Sequence, residues 1–240
     1  MRLLVSVRSA AEVAAALAGG ADIIDAKEPA RGALGAVDPA VLGRIAAEVP
    51  GAVPLSIALG DLRTVREVEG AIAGAGVRRR EGGVYLKIGF AGVRSEIRIA
   101  ELIAAAVALT RARPGRPAVV AVAYADDARA DALSPATIAG IAAAVGAAGV
   151  LLDTYRKDEG DLFSWTSPAA LRRWTADARG HGLLAATAGS LGLESVAAAM
   201  AAGPDIIGVR GAACEGGREG VVDAERVRAL RAIIASETVI

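Results

Sequence analysis

The feature that most constrains this chain is an alternation repeated eight times: a short β-branched or apolar run, then a longer Ala-rich amphipathic stretch. The runs are LLVSV (3–7), DIIDAK (22–27), PLSIAL (54–59), VYLKIGF (84–90), AVVAVAY (118–124), GVLLDTY (149–155), LLAATAG (183–189) and DIIGVRG (205–211). Nearly continuous apolar runs of this length suit parallel strands covered on both faces. Between them, SAAEVAAALAGG (9–20), DPAVLGRIAAEV (38–49), SEIRIAELIAAAVALTRA (95–112) and SPATIAGIAAAVGAA (134–148) carry helical spacing. Several of these open on a Ser or Asp suited to capping, and Gly19-Gly20, Gly146, Gly149 and Gly203 stand where helices should end. Eight strands in strict alternation with helices close most simply into a single-domain (β/α)8 barrel over 1–240, and such barrels take about 250 residues. An open doubly wound sheet is the alternative, but the first strand is not followed by GxGxxG.

The rest of the chain narrows the function. Apolar residues make up 54% and aromatics 3%, so the core is built from Ala, Val, Leu and Ile. No apolar run approaches the roughly 18 residues of a membrane span, and the N-terminus turns polar too early for a signal peptide. A lone cysteine allows neither an internal disulfide nor a Cys-based zinc cage, which fits a reducing cytoplasm. Net charge is zero with signs interspersed, leaving no electrostatic footprint for nucleic acid or acidic lipid. The expectation is a cytoplasmic, homo-oligomeric enzyme or binding protein acting on a small molecule, with no membrane or nucleic-acid partner.

Only three of the 27 basic residues are lysines, Lys27, Lys87 and Lys157, which leaves 24 arginines. Arg serves most surface roles, but it does not lose its proton, whereas a buried Lys amine can act as base or Schiff-base nucleophile. Lys27 ends the second run, Lys87 lies near the end of the fourth, and Lys157 follows the sixth. All three therefore map to the C-terminal rim, where barrel enzymes place their active sites, and to alternate strands that share an interior layer. Asp25, two residues before Lys27, points the same way. Asp153 takes the matching place on the sixth strand. Both carboxylates sit in apolar runs and need a charged partner, which the lysines can supply. Small residues on the odd strands, Ser56 and Ala58, Ala121 and Ala123, Ala186 and Ala188, are expected to leave room for a substrate.

A phosphate subsite is expected from the last two loops. Gly189-Ser190 precedes a helix, and Arg210-Gly211 follows the eighth strand. Barrels often bind phosphate at this pair of loops, through backbone N–H groups and a helix N-terminus. Cys214 and His181 map to opposite ends of the barrel and read as structural, and Arg78-Arg79-Arg80 reads as solvated surface.

In seven blocks, the chain resembles the (5-formylfuran-3-yl)methyl phosphate synthases of methanofuran biosynthesis, a cofactor pathway of one-carbon metabolism. The blocks are GGADIIDAKEPARGALGA (19–36), PLSIALGD (54–61), YLKIGF (85–90), YAD (124–126), LLDTYRKDEGDLF (151–163), AGSL (188–191) and GVRGAAC (208–214). The resemblance implies a lyase that condenses two glyceraldehyde 3-phosphate molecules with loss of phosphate and water. It also implies a Schiff base at Lys27, acid/base work by Lys87, support from Asp25, Asp153 and Lys157, and neither a metal nor an organic cofactor. The chain departs from the family pattern in LRTVREVEG after Asp61 and at Glu28. A generic class I aldolase for phosphorylated sugars is the alternative, and a non-catalytic phospho-ligand sensor is another. Arg8 and Arg31 are candidates for a second phosphate by position alone.

Overall fold

A computed structural model describes residues 1–76 and 78–236. Eight parallel strands close in sequence order, each hydrogen-bonded to the next and the eighth to the first. They are β1 (Arg2–Val7), β2 (Ile23–Ala26), β3 (Leu55–Asp61), β4 (Val84–Gly89), β5 (Ala118–Tyr124), β6 (Gly149–Asp153), β7 (Leu184–Thr187) and β8 (Ile206–Val209). The helices are α1 (Val13–Ala18), α2 (Pro39–Glu48), α3 (Val65–Gly74), α4 (Glu96–Arg111), the short α5 (Asp127–Ala130), α6 (Pro135–Ala144), α7 (Pro168–Gly180), α8 (Leu193–Met200) and α9 (Ala224–Ser236). A small hairpin, β9 (Cys214–Glu215) and β10 (Val221–Val222), lies between β8 and α9. Among the described residues no helix is long and apolar enough to cross a membrane.

Two apolar clusters divide the core. One lies between sheet and helices and includes Val5, Ile57, Leu86, Ile99, Leu102 and Ile138. The other fills the barrel interior and includes Leu4, Ile23, Val120, Val122, Leu151 and Ile206. Strand pleating assigns alternate residues to alternate faces, and this corrects one expectation. Ala121 and Ala123 belong to the outer cluster, so the inward residues of β5 are Val120, Val122 and Tyr124. Strand 5 is therefore filled rather than open at its top, and Ala58 is packed into the same plug. Ser56, Ala186 and Ala188 do line open space.

Local signals behave unevenly. Ser95 and Ser134 cap α4 and α6, accepting from Arg98 and Thr137 N–H at 3.3 and 3.2 Å. Ser9 and Asp38 make no such bond, and Asp38 instead pairs with Arg31. The atypical LRTVREVEG segment starts α3, where Thr64 and Glu67 form a reciprocal capping box. Gly149 does not end a helix but lies in β6, where a Cβ would stand 2.6 Å from the Leu184 carbonyl oxygen. In the Arg78-Arg79-Arg80 run, Arg80 is a clamp on the end of α2, donating to the Ala46, Val49 and Pro50 carbonyls.

Candidate active site

A cavity of about 230 Å³ opens at the C-terminal rim and runs down the barrel axis. It is small for a drug-sized ligand, whose sites begin near roughly 300 Å³, and it suits a compact polar substrate. Asp25, Lys27, Lys87, Asp153 and Lys157 all line it. Each of the even strands β2, β4 and β6 thus delivers a lysine to one space, with carboxylates from β2 and β6.

The charges are arranged as two pairs and a remainder. Lys87 Nζ stands 2.7 Å from Asp25 Oδ1, both buried. The Ser6 hydroxyl donates to Asp25 Oδ2 at 2.7 Å. Lys157 pairs with Asp153 and also reaches Thr154 Oγ1 at 3.3 Å, and the Thr154 N–H donates to Asp153 Oδ1 at 2.8 Å. The Lys27 amine has neither a hydrogen bond nor a carboxylate within 4.0 Å among the described residues, although the residue is only 6% exposed.

The ionisation of each group follows from that geometry. Burial lowers the Lys27 amine most. Asp153 opposes this, the Lys157 and Lys87 ammonium groups reinforce it, and the result is about 7, against an ordinary 10.5. Burial raises the Asp25 carboxyl, but Lys87 and Lys27 outweigh it and hold the group below its usual range. Asp153 is likewise held low, by Lys157 and then Lys27, against its burial. Lys157 is lowered by burial and by Arg218, although Asp153 resists.

The loop carrying Lys157 is fixed by a residue that the sequence reading passed over. Buried Asp126 accepts from the Tyr155 and Arg156 N–H groups at 2.7 and 2.8 Å. The opposite rim is closed: Tyr124 donates to Asp61 Oδ1 at 2.7 Å, which also accepts from the Ala91 N–H at 2.9 Å. Burial and Asp61 raise the Tyr124 hydroxyl's pKa well above its ordinary value. Gly89 is required there, because a Cβ would come within 2.4 Å of Asp61 Oδ1.

Gly189, Ser190, Arg210 and Gly211 also line the cavity. Ser190 holds a left-handed φ of 52°, next to Gly189 at 113°, a conformation that costs a non-glycine residue about 1–2 kcal/mol. It turns the chain into α8. The N–H groups of Ser190, Leu191, Gly211 and Ala212 find no acceptor among the described residues. Their residues line the cavity, a cradle whose free N–H groups an anion would satisfy.

Arg210 corrects an expectation. All five of its donors are engaged: Nε with the Arg218 carbonyl, Nη1 with the Ser6 carbonyl and Glu12, and Nη2 with Glu12 and the Gly220 carbonyl. It is a structural strut with no N–H left for a ligand. Glu12, buried at the start of α1, was legible as the one charge inside an Ala-rich run. Arg31 is exposed and tied to Asp38, Arg8 stands beside Glu12, and neither lines the cavity. Cys214 is buried and its thiol raised by burial. His181 ends α7 at the far end of the barrel.

Comparisons with known proteins identify the family and the barrel. A (5-formylfuran-3-yl)methyl phosphate synthase of Methanocaldococcus jannaschii is 37% identical over 239 residues, covering 96% of this chain and 98% of that protein. The synthase of Methanothermobacter thermautotrophicus is 36% identical, covering 98% and 100%. Among solved structures, Thermus thermophilus phosphoribosyl anthranilate isomerase superposes with a TM-score of 0.65 at 18% identity, over 99% of this chain and 100% of that one. Salmonella typhimurium 3-hexulose-6-phosphate synthase gives 0.62 at 15%, over 98% and 99%. At that identity these two speak to the barrel alone. The family profile for 4-HFC-P synthase matches residues 3–231, and the chain belongs to that family.

Proposed function

We propose that this chain condenses two glyceraldehyde 3-phosphate molecules into (5-formylfuran-3-yl)methyl phosphate, releasing one phosphate and two waters, as a lyase of methanofuran biosynthesis. The observation that carries the mechanism is the unpaired Lys27 amine, buried and held near 7 between two satisfied Lys–Asp pairs. At neutral pH about half of such amines are uncharged, against about one in three thousand for an ordinary lysine. The uncharged Lys27 Nζ attacks the aldehyde of one triose, and loss of water gives an iminium. The iminium draws electrons from the neighbouring C–H, whose proton the Asp25 carboxylate can accept, while the Lys87 ammonium ion-paired with it can give one to the oxygen of the second aldehyde. The resulting enamine allows the carbon–carbon bond to the second triose. Elimination of phosphate, ring closure and two dehydrations complete the furan, and hydrolysis of the iminium takes back one water, freeing the aldehyde and Lys27. The Asp153–Lys157 pair sits where it would hand protons to departing oxygens. The cradle of N–H groups after β7 and β8 would hold a phosphate away from the reacting carbons.

The test is incubation with glyceraldehyde 3-phosphate alone, following furan absorbance and free phosphate together. Borohydride added during turnover should leave an adduct on Lys27. An aldolase would trap in the same way without releasing phosphate, and a sensor would do neither. Absence of furan at high enzyme concentration, or an adduct on Lys87 or Lys157, would overturn the reading.

A further inference from the structure

With Arg210 fully occupied, the phosphate cradle needs another cation, and the structure holds one. We propose that Arg218, in the turn between β9 and β10, grips the substrate phosphate and ties its arrival to the loop that carries Lys27. This rests on the reading of the cavity as a site for a phosphorylated triose.

Arg218 lines the cavity. It abuts the cradle, since the position a Gly211 Cβ would take is 3.5 Å from the Arg218 N. Its Nη2 donates to the Pro29 and Gly32 carbonyls at 3.1 and 2.8 Å. Those residues lie two and five positions past Lys27, so the side chain straps the β8 hairpin to the β2 loop across the rim. Its Nε and both hydrogens of Nη1 have no acceptor, and no carboxylate lies within 4.0 Å of it, among the described residues. A half-buried guanidinium without a paired carboxylate is costly, and the other cations facing the cavity show the contrast. Lys87, Lys157 and Arg210 each hold a carboxylate. Lys27 alone shares the lack of one, and its amine escapes the cost by shedding its proton, which a guanidinium does not do. The unmet valence of Arg218 is therefore an anion's place. With Nη2 spent on the two carbonyls, the Nε and Nη1 hydrogens remain to meet phosphate oxygens one at a time, and the cradle supplies N–H groups for the others. The strap makes the contact more than a clamp. A phosphate pulling on Arg218 also fixes the Pro29–Gly32 turn and, through it, the backbone beside Lys27.

The experiment uses Arg218→Gln and Arg218→Lys in the full chain, with thermal melts to check folding. Inorganic phosphate is the first probe, by calorimetry. Gln should weaken its binding at least tenfold, and Lys, which keeps charge but cannot hold the strap and the anion at once, should fall between Gln and wild type. The second readout is the rate of borohydride trapping with glyceraldehyde 3-phosphate and with unphosphorylated glyceraldehyde. Gln should slow the first at least tenfold and leave the second within twofold. Equal slowing of both aldehydes would make Arg218 a structural strap only, and phosphate binding unchanged in Gln would overturn the proposal outright. If Gln does not fold, the Lys variant decides by the same two readouts. Should wild type bind phosphate through Arg218 yet make no furan, the reading of function fails and this assignment stands. Furan synthesis indifferent to Arg218 gives the reverse.

Discussion

Replacing Lys27 with Met should abolish turnover and at the same time stabilise the protein. The unpaired amine is 6% exposed and titrates near 7 in the fold, whereas in the unfolded chain it titrates near the ordinary 10.5. Between those two values the unfolded chain binds more protons than the native one, so wild-type stability rises with pH across that window. Read from its lower end, the site costs the native state about 4 kcal/mol at pH 7, about 2 kcal/mol at pH 9, and nothing above about 10.5. Methionine has similar length and flexibility and no charge to desolvate. The assay is urea denaturation of wild type and Lys27→Met at pH 7, 8 and 9, with the free-energy difference plotted against pH. The expected curve favours the variant by a few kcal/mol at pH 7 and shrinks by about half at pH 9. A variant less stable than wild type, or a difference that does not change with pH, would refute the claim that Lys27 is an unpaired buried amine. Stability surrendered at a reactive site is a common arrangement.

Two further substitutions separate chemistry from scaffold. Lys87→Arg keeps the charge facing Asp25 but cannot give up a proton at working pH, so turnover should fall on the order of 100-fold while borohydride still traps Lys27; a variant retaining more than about a tenth of wild-type turnover would reduce Lys87 to a counter-charge. Arg210→Ala leaves buried Glu12 without its partner and should cost about 3–5 kcal/mol in urea melts, whereas replacing Glu12 and Arg210 together by Leu should recover much of that loss.

The barrel and its charged interior were legible because both depend on short-range periodicity. Alternation of strand and helix identified the layers, and the scarcity of lysine pointed to three residues that meet in one cavity. What escaped the sequence was contact between residues far apart in the chain. Arg210 sits on the right loop for a phosphate, but Glu12, 198 positions away, claims it, and nothing local announces that pairing. Arg218 carries no local signal that sets it apart from the other arginines, because its place over the cavity depends on a hairpin that reaches back to Pro29 and Gly32. Strand 5 was misread by one residue of parity: AVVAVAY is apolar at every position, so its pattern could not say whether its alanines or its valines face inward.

The site's composition also explains why it leaves one amine unpaired. Three ammonium-bearing side chains and two carboxylates enter one layer, and β2 brings Asp25 and Lys27 two residues apart. Side chains at that spacing point in parallel rather than toward each other, so Asp25 turns to Lys87 on β4. Asp153 meets Lys157 four positions later, where the loop folds back over the end of β6. Lys27 is left over. Each pair it faces is nearly neutral, so the attraction of Asp153 and Asp25 is largely offset by the repulsion of Lys157 and Lys87. Burial is then the strongest influence on the amine. The lowered pKa of Lys27 is in that sense a property of cavity depth, secured by two ion pairs that cancel locally. Removing either carboxylate would turn its lysine into an uncompensated neighbour and push Lys27 lower still. Removing either of the paired lysines would expose a bare carboxylate and raise Lys27 toward its ordinary, unreactive value.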